Sequence, residues 1–285
     1  RLMTEFPPLV NILLLSLMAS LGTGIGGLIA TIRRPGKRSY GLLMGITAGV
    51  MICLSFLELV NEAWEMAGPW TATIGFGAGA TFMFLLDHFA PHIRFGEREI
   101  RGKGDTNAVI PVDDEHCYRR RRFGLRHRQG SAVVVDQKLI NTGLLMAIGI
   151  TLHNLPEGIA VGAGYLHNPN FGLFIAVAIL LHNIPEGIAT ALPLCKGGVC
   201  KADALRVAFL SGLAEPVGAL LASLVLVSFK GFLPGALAFA GGVMVFITLD
   251  ELIPTAREYG HEHYTAIGII LGSMFVFILS GIFGV

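Results

Sequence analysis

Charge is scarce in this chain. Asp, Glu, Lys and Arg make up 14% of its 285 residues against 53% hydrophobic ones, too few to keep the surface of an ordinary soluble domain wet. Cysteine is scarce as well. Cys53 lies inside an apolar run, while Cys117, Cys195 and Cys200 fall in or beside basic loops, so the thiols read as reduced and structural rather than as a disulfide framework. The HExxH pattern of zinc proteases is missing, since HEHYT at 261–265 fails at its last position. Also missing is a basic start followed by a short apolar core and a small-residue cleavage site, so the first apolar run reads as a true span rather than a secretory leader. The chain opens Arg1-Leu2-Met3, which makes Met3 a candidate natural start. A formal net charge of +1 gives no sign of a nucleic acid or acidic partner.

What is abundant is apolar sequence in runs of about 20 residues, the length that crosses a hydrocarbon core of roughly 30 Å. Eight such runs are expected, at 8–31, 40–62, 69–91, 138–164, 171–194, 203–229, 231–256 and 262–285. The expected fold class is an all-α membrane protein of eight transmembrane helices, forming one polytopic domain over 1–285. About half of the 21 Lys and Arg residues lie between spans three and four, including RRRR at 119–122, and RRPGKR separates spans one and two. Lys196, Lys201 and Arg206 flank the connection from five to six, and Arg257 the connection from seven to eight; Arg1 and Lys230 fall on the other side. The positive-inside rule then places both termini outside and the long 92–137 loop in the cytoplasm. That loop is polar and aperiodic and is expected to be flexible. Its DDEHC at 113–117 reads as a solvated charge run, and RRRRFGLRHR as a topology or lipid-facing signal rather than a nucleic-acid site.

Within this apolar sequence a hexapeptide occurs twice, HNLPEG at 153–158 and HNIPEG at 182–187. On a helix His153 and Glu157 are four apart and share a face, with Asn154 on the adjoining edge; His182, Asn183 and Glu186 repeat the pattern in the next, antiparallel span. Both histidines fall about 16 Å below the outer ends of their spans, near mid-membrane. Span six adds Glu215, in GLAEPVGA. Three carboxylates sharing a low-dielectric volume would each cost several kcal/mol unpaired, a cost that a divalent cation removes. Pro156, Pro185 and Pro216 stand beside the glutamates, where each should kink its helix and free a carbonyl. Imidazole, amide and carboxylate without thiolate suit Zn²⁺, Fe²⁺, Mn²⁺ or Co²⁺ and select poorly among them. A single buried His or Asn is as readily an interhelical hydrogen-bonding residue; two copies and a third glutamate point to a metal centre between spans four, five and six.

HNLPEGIA and HNIPEGIA in successive spans, followed by AEPVGA, resemble the ZIP family of divalent-metal transporters, closest to its bacterial ZupT kind. The resemblance covers essentially the whole membrane-embedded chain. It implies uptake of divalent cations (Zn²⁺, also Fe²⁺, Mn²⁺, Co²⁺ and Cd²⁺) into the cytoplasm across a bacterial inner membrane, with a homodimer left open. It further implies a binuclear centre: His153, Glu157, His182 and Glu186 at one site, and Asn154, Glu157, Asn183, Glu186 and Glu215 at the other. Glu157 and Glu186 would bridge them, and Met51 resembles a position beside the first. His182-Asn183 departs from the Gln-Asp of many relatives, which moves the first site toward nitrogen ligation.

Other polar positions are secondary. Glu58, Glu62 and Glu65 at the outer end of span two read as a cation entrance or as interfacial acids, Glu58 being the deepest in apolar sequence. Asp87, His88 and His92 end span three, and Asp250 and Glu251 approach the end of span seven; Asp87 and Glu251 are the stronger candidates for an exit. His261, Glu262 and His263 read as surface residues, and Cys195 and Cys200 have the wrong spacing for a zinc knuckle. The rival function is an intramembrane zinc-dependent hydrolase. It lacks both a motif and an uncommitted general base. A haem carrier with His153 and His182 as axial ligands leaves the glutamates unexplained.

Overall fold

A computed structural model describes residues 7–33, 35–89 and 136–285. The described residues are helical throughout, with no strand. The helices are α1 (Pro8–Ile32), α2 (Lys37–Cys53), α3 (Asn61–Phe89), α4 (Gln137–His167), α5 (Pro169–Lys196), α6 (Lys201–Gly212), α7 (Ala214–Ser228), α8 (Leu233–Ile247), α9 (Ile253–Tyr259) and α10 (Glu262–Phe283). Two π-helical segments, Leu54–Val60 and Thr248–Leu252, join α2 to α3 and α8 to α9. Taken as continuous helices, seven stretches are long and apolar enough to cross a membrane. The chain is thus a multi-pass membrane protein.

One of the seven runs from Lys37 to His88, 52 residues, more than twice what a 30 Å core requires at about 1.5 Å per residue. Gly68 interrupts it. Its φ of 80° and ψ of 173° lie in a region that essentially only glycine enters, and Pro69 follows, with a ring that disfavours helical backbone in the residue before it. Trp64 and Trp70, both exposed, flank the break as aromatic anchors do at a membrane interface. Exposed Leu14, Leu21, Leu224, Ile270 and Phe277 present the apolar surface that lipid requires.

The helices pack as two groups. In the first, α1 lies along α5, α4 packs on both α5 and α7, and α6 closes against α1; in the second, α3 packs on α8 and α2 on α10. Lighter contacts of α4 with α8 and of α2 with α5 join the groups. Close approach depends on missing side chains: a Cβ at Gly158 of α4 would overlap the Glu215 carbonyl, and one at Gly218 of α7 the Leu155 carbonyl. These reciprocal notches set the α7 backbone directly against α4.

Span six is interrupted beside its proline, α6 ending at Gly212 and α7 beginning at Ala214, while α4 and α5 each run as one helical segment that contains its proline, Pro156 or Pro185. Two features depart from the sequence reading. The connection between spans four and five, expected over 165–170, is one residue, Asn168, whose side chain caps α5 by accepting from the Asn170 amide at 2.8 Å. Cys200 is disulfide-bonded, against the expectation of reduced thiols, while Cys53 and Cys195 are buried and not in a disulfide. The 92–135 stretch, with His92, the DDEHC cluster and Cys117, lies outside the described residues.

Candidate metal centre

Because α4 ends at His167 and α5 starts at Pro169, the two helices form a tight hairpin in which residues equidistant from the turn share a level. His153 is 14 residues before His167 and His182 is 13 after Pro169, so both lie about 20 Å from the turn. Glu157 and Glu186 follow one helical turn later along their own chains and therefore point to opposite sides of that level.

The side chains meet there. His153 Nε2 is 2.8 Å from Glu157 Oε1 and 3.2 Å from Glu186 Oε1, and His182 Nε2 is 2.9 Å from the same Glu157 oxygen. Each of the four residues offers a ligand atom, and these atoms lie within 4.8 Å of one another. All four are buried, none more than 4% exposed.

Glu215, at the start of α7, is likewise buried, and its Oε2 accepts from Asn183 Nδ2 at 3.1 Å. Asn183 Nδ2 also reaches the Ala19 carbonyl of α1 at 3.2 Å, and Asn154 Nδ2 donates to the Ser211 carbonyl at 3.0 Å. Ser211 sits at the break in span six. Its carbonyl is available because the helix that would have used it stops at Gly212. Both amides are thus pinned by their nitrogens, which turns each Oδ1 away from those partners.

Seven buried atoms here have no protein hydrogen-bond partner: Nδ1 of His153 and His182, Oδ1 of Asn154 and Asn183, Oε2 of Glu157 and Glu186, and Oε1 of Glu215. Among the described residues the further such atoms are the hydroxyls of Thr23 and Ser55. Buried polar groups are ordinarily paired. A cluster in which every member leaves one donor or acceptor unused, and in which carboxylates outnumber the groups that could neutralise them, is suited to a cation.

A cavity of about 220 Å³, lined by Pro35, Lys37, Tyr40 and Lys196, shares Met146, Ala189 and Thr255 with a void of about 30 Å³ bordered by His153, Glu186 and Glu251. The void beside the cluster is therefore adjacent to the cavity at the lysine-bearing end of the helices. Glu251 belongs to a π-helical segment, a local winding often found at functional positions, and the buried Asp87 lies within its electrostatic reach. Of the other exit candidates, His88 is exposed and stacks on Phe84. Glu58 lies in the other π-helical segment, part-buried. Glu62 is paired with His167 at 2.6 Å, whereas Glu65 is exposed.

Met51 is fully buried and stands one turn along α2 from Thr47, whose hydroxyl donates to the His182 carbonyl at 3.2 Å. Its sulfur accepts from the Thr248 hydroxyl at 3.6 Å. Sequence reasoning passed over Thr47 and Thr248. An isolated threonine in an apolar run commonly bonds its own helix, as both also do, and nothing local marks a tertiary partner.

Similarity to known proteins points the same way. A family model described as "ZIP Zinc transporter" matches residues 71–280. A "Zinc transporter ZupT" of Lysinibacillus sphaericus is 39% identical, covering 95% of this chain and 97% of that protein. Proteins of the same name from Clostridium perfringens and Chlorobium luteolum are 37% and 39% identical, covering 91% of this chain and 91% and 93% of their own lengths.

Proposed function

Since this chain belongs to the ZIP zinc transporter family, we propose that it carries divalent metal into the cytoplasm through a two-ion centre on α4, α5 and α7. One ion would be held by His153, Glu157, His182 and Glu186. The other would be held by Asn154, Asn183 and Glu215 together with the two bridging carboxylates of Glu157 and Glu186. The observation that carries this reading is the set of seven buried, unpartnered ligand atoms on those residues. Zn²⁺ is the first substrate to expect, with Fe²⁺, Mn²⁺, Co²⁺ and Cd²⁺ admitted by the same imidazole, amide and carboxylate donors.

Orientation follows from charge. Dividing the 52-residue helix at Gly68 makes eight crossings, an even number, so both termini share a side. Lys37, Lys196, Lys201 and Arg206 gather at the opposite ends, which the positive-inside rule assigns to the cytoplasm of a bacterial inner membrane. The void beside His153, Glu186 and Glu251 and the adjacent cavity at Lys37 and Lys196 then lie on the inward side, and Glu251 with Asp87 would draw the departing cation that way. Release on one side and loading on the other require the group α1, α4, α5, α6 and α7 to move against α2, α3, α8 and α10.

The hydrolase alternative is set aside. The relatives are named as transporters, and in the proposed centre every acid serves as a metal ligand, with no general base left over. Purified protein in liposomes, offered Zn²⁺, Fe²⁺, Mn²⁺, Co²⁺ and Cd²⁺ with and without a pH gradient, tests the proposal. Zn²⁺ accumulation that Glu157→Ala abolishes supports it, and accumulation that survives this change refutes the shared centre.

A further inference from the structure

At the end of the molecule opposite the cavity the two helix groups meet through the ring contact of Phe174 with Phe283 and through a pairing of His167 with Glu62. His167 Nε2 lies 2.6 Å from Glu62 Oε1, with the two side chains 27% and 30% exposed. His167 is the last residue of α4, in the group that carries the metal centre. Glu62 is in the first turn of α3, in the other group. The imidazole is held edge-on by Phe171 in the first turn of α5, ring centroids 5.9 Å apart, so it is fixed to the α4–α5 hairpin and not merely resting on its partner.

Resting on the transport reading above, we infer that Glu62 and His167 form an outer latch, closed while the metal centre communicates with the cytoplasm and opened when it loads from outside. His167 lies about 21 Å from His153 along α4, and a cation arriving from that end must pass between α4–α5 and α2–α3. Parting those elements separates Glu62 from His167. Of the other polar groups around the pair, Glu58, one turn away, is part-buried in its π-helical segment, and Asn168 is engaged in capping α5. Glu65, one turn past Glu62, is exposed. A partly exposed pair of this kind biases an equilibrium by a factor of only up to about five. That is strong enough to favour the closed state and weak enough to break in every cycle.

The test uses the full chain in liposomes with external Zn²⁺. Glu62→Cys combined with His167→Cys, joined by a short reductant-cleavable thiol cross-linker, is expected to stop uptake, and cleavage of the linker to restore it. Wild type carried through the same treatment controls for the native cysteines. Uptake by the cross-linked protein at the uncross-linked rate overturns the latch. Independently, Glu62→Gln and His167→Gln are each expected to tighten apparent affinity for external Zn²⁺ by up to about fivefold, and the exchange Glu62→His with His167→Glu to return it toward wild type. Unchanged affinity in both single variants overturns the latch as well, even if the cysteine pair fails to fold. Wild-type vesicles that accumulate no Zn²⁺ refute the transport reading and the latch with it, an outcome distinct from either of the others.

Discussion

Replacing Glu157 by glutamine keeps the size of the side chain and removes its charge at the point where the centre converges. A single oxygen, Oε1, lies 2.8 Å from His153 Nε2 and 2.9 Å from His182 Nε2, and the residue is fully buried. In the proposed centre this carboxylate faces two cations, so its loss leaves positive charge uncompensated where no water can take over. Removing one partner from a buried charge pair costs about 3–5 kcal/mol, which at about 1.4 kcal/mol per factor of ten weakens zinc binding by roughly one hundred to a few thousandfold. Zinc titration of the purified protein at pH 7.5 reads this as a rise in Kd, and liposome uptake at sub-saturating zinc should fall in parallel. A helical circular dichroism spectrum and an unchanged Tm without metal would show that the variant is folded. A folded Glu157→Gln protein whose Kd stays within threefold of wild type would refute the bridging role.

Glu186→Ala should abolish uptake for the same reason, and liposome assays at wild-type rate would contradict it. Glu215→Ala should leave uptake measurable and alter the order of preference in a metal panel, because Glu215 belongs only to the second proposed site; unchanged preference would make it structural. Imidazole binds metal only when neutral, so affinity should fall as pH drops from about 7.5 to 5.5 through the ordinary histidine range. His182→Gln should make that fall shallower if the imidazoles dominate the competition with protons, and initial rates across this interval decide the matter. Gly158→Ala should cost about 1–3 kcal/mol of stability, read as a lowered Tm, because the new methyl must displace the Glu215 carbonyl.

The parts of this fold that could be read in advance are those governed by one-dimensional rules. Apolar runs placed six of the eight expected spans to within a few residues, because bilayer thickness fixes their length, while the expected 40–62 and 69–91 lie in one helical stretch, Lys37–His88. Helical periodicity placed His153 with Glu157 and His182 with Glu186, since residues four apart share a face. The π-helical winding at Leu54–Val60 contains no glycine or proline to signal it, and arises only where neighbouring helices supply the packing. Pro156 and Pro185 lie within unbroken helical segments, and the break in span six falls at Leu213, where Gly212 and Pro216 flank it. The pairing of Glu62 with His167, 105 positions apart in sequence, depends on how two helix groups dock, which no local pattern records.

The arrangement of hydrogen bonds bears on why such a centre would hold cargo rather than a resident ion. A histidine that keeps a metal permanently usually donates its second ring nitrogen to a carboxylate or carbonyl, which orients the ring and raises its basicity. Among the described residues neither His153 Nδ1 nor His182 Nδ1 has such a partner. The asparagines are anchored instead, by Ser211 at the break in span six and by Ala19 of α1, so the rigidly oriented oxygens are neutral amides, which bind cations weakly. Thiolate, the donor that would hold zinc most firmly, is absent from the cluster. Ligands of strong charge are therefore combined with weak orientation, and Glu251 stands at the adjoining void as a further carboxylate toward which a cation can step. In the proposed centre this combination would bind tightly enough to load and loosely enough to release. By the same logic, giving either imidazole an orienting acceptor should raise zinc affinity and lower turnover together.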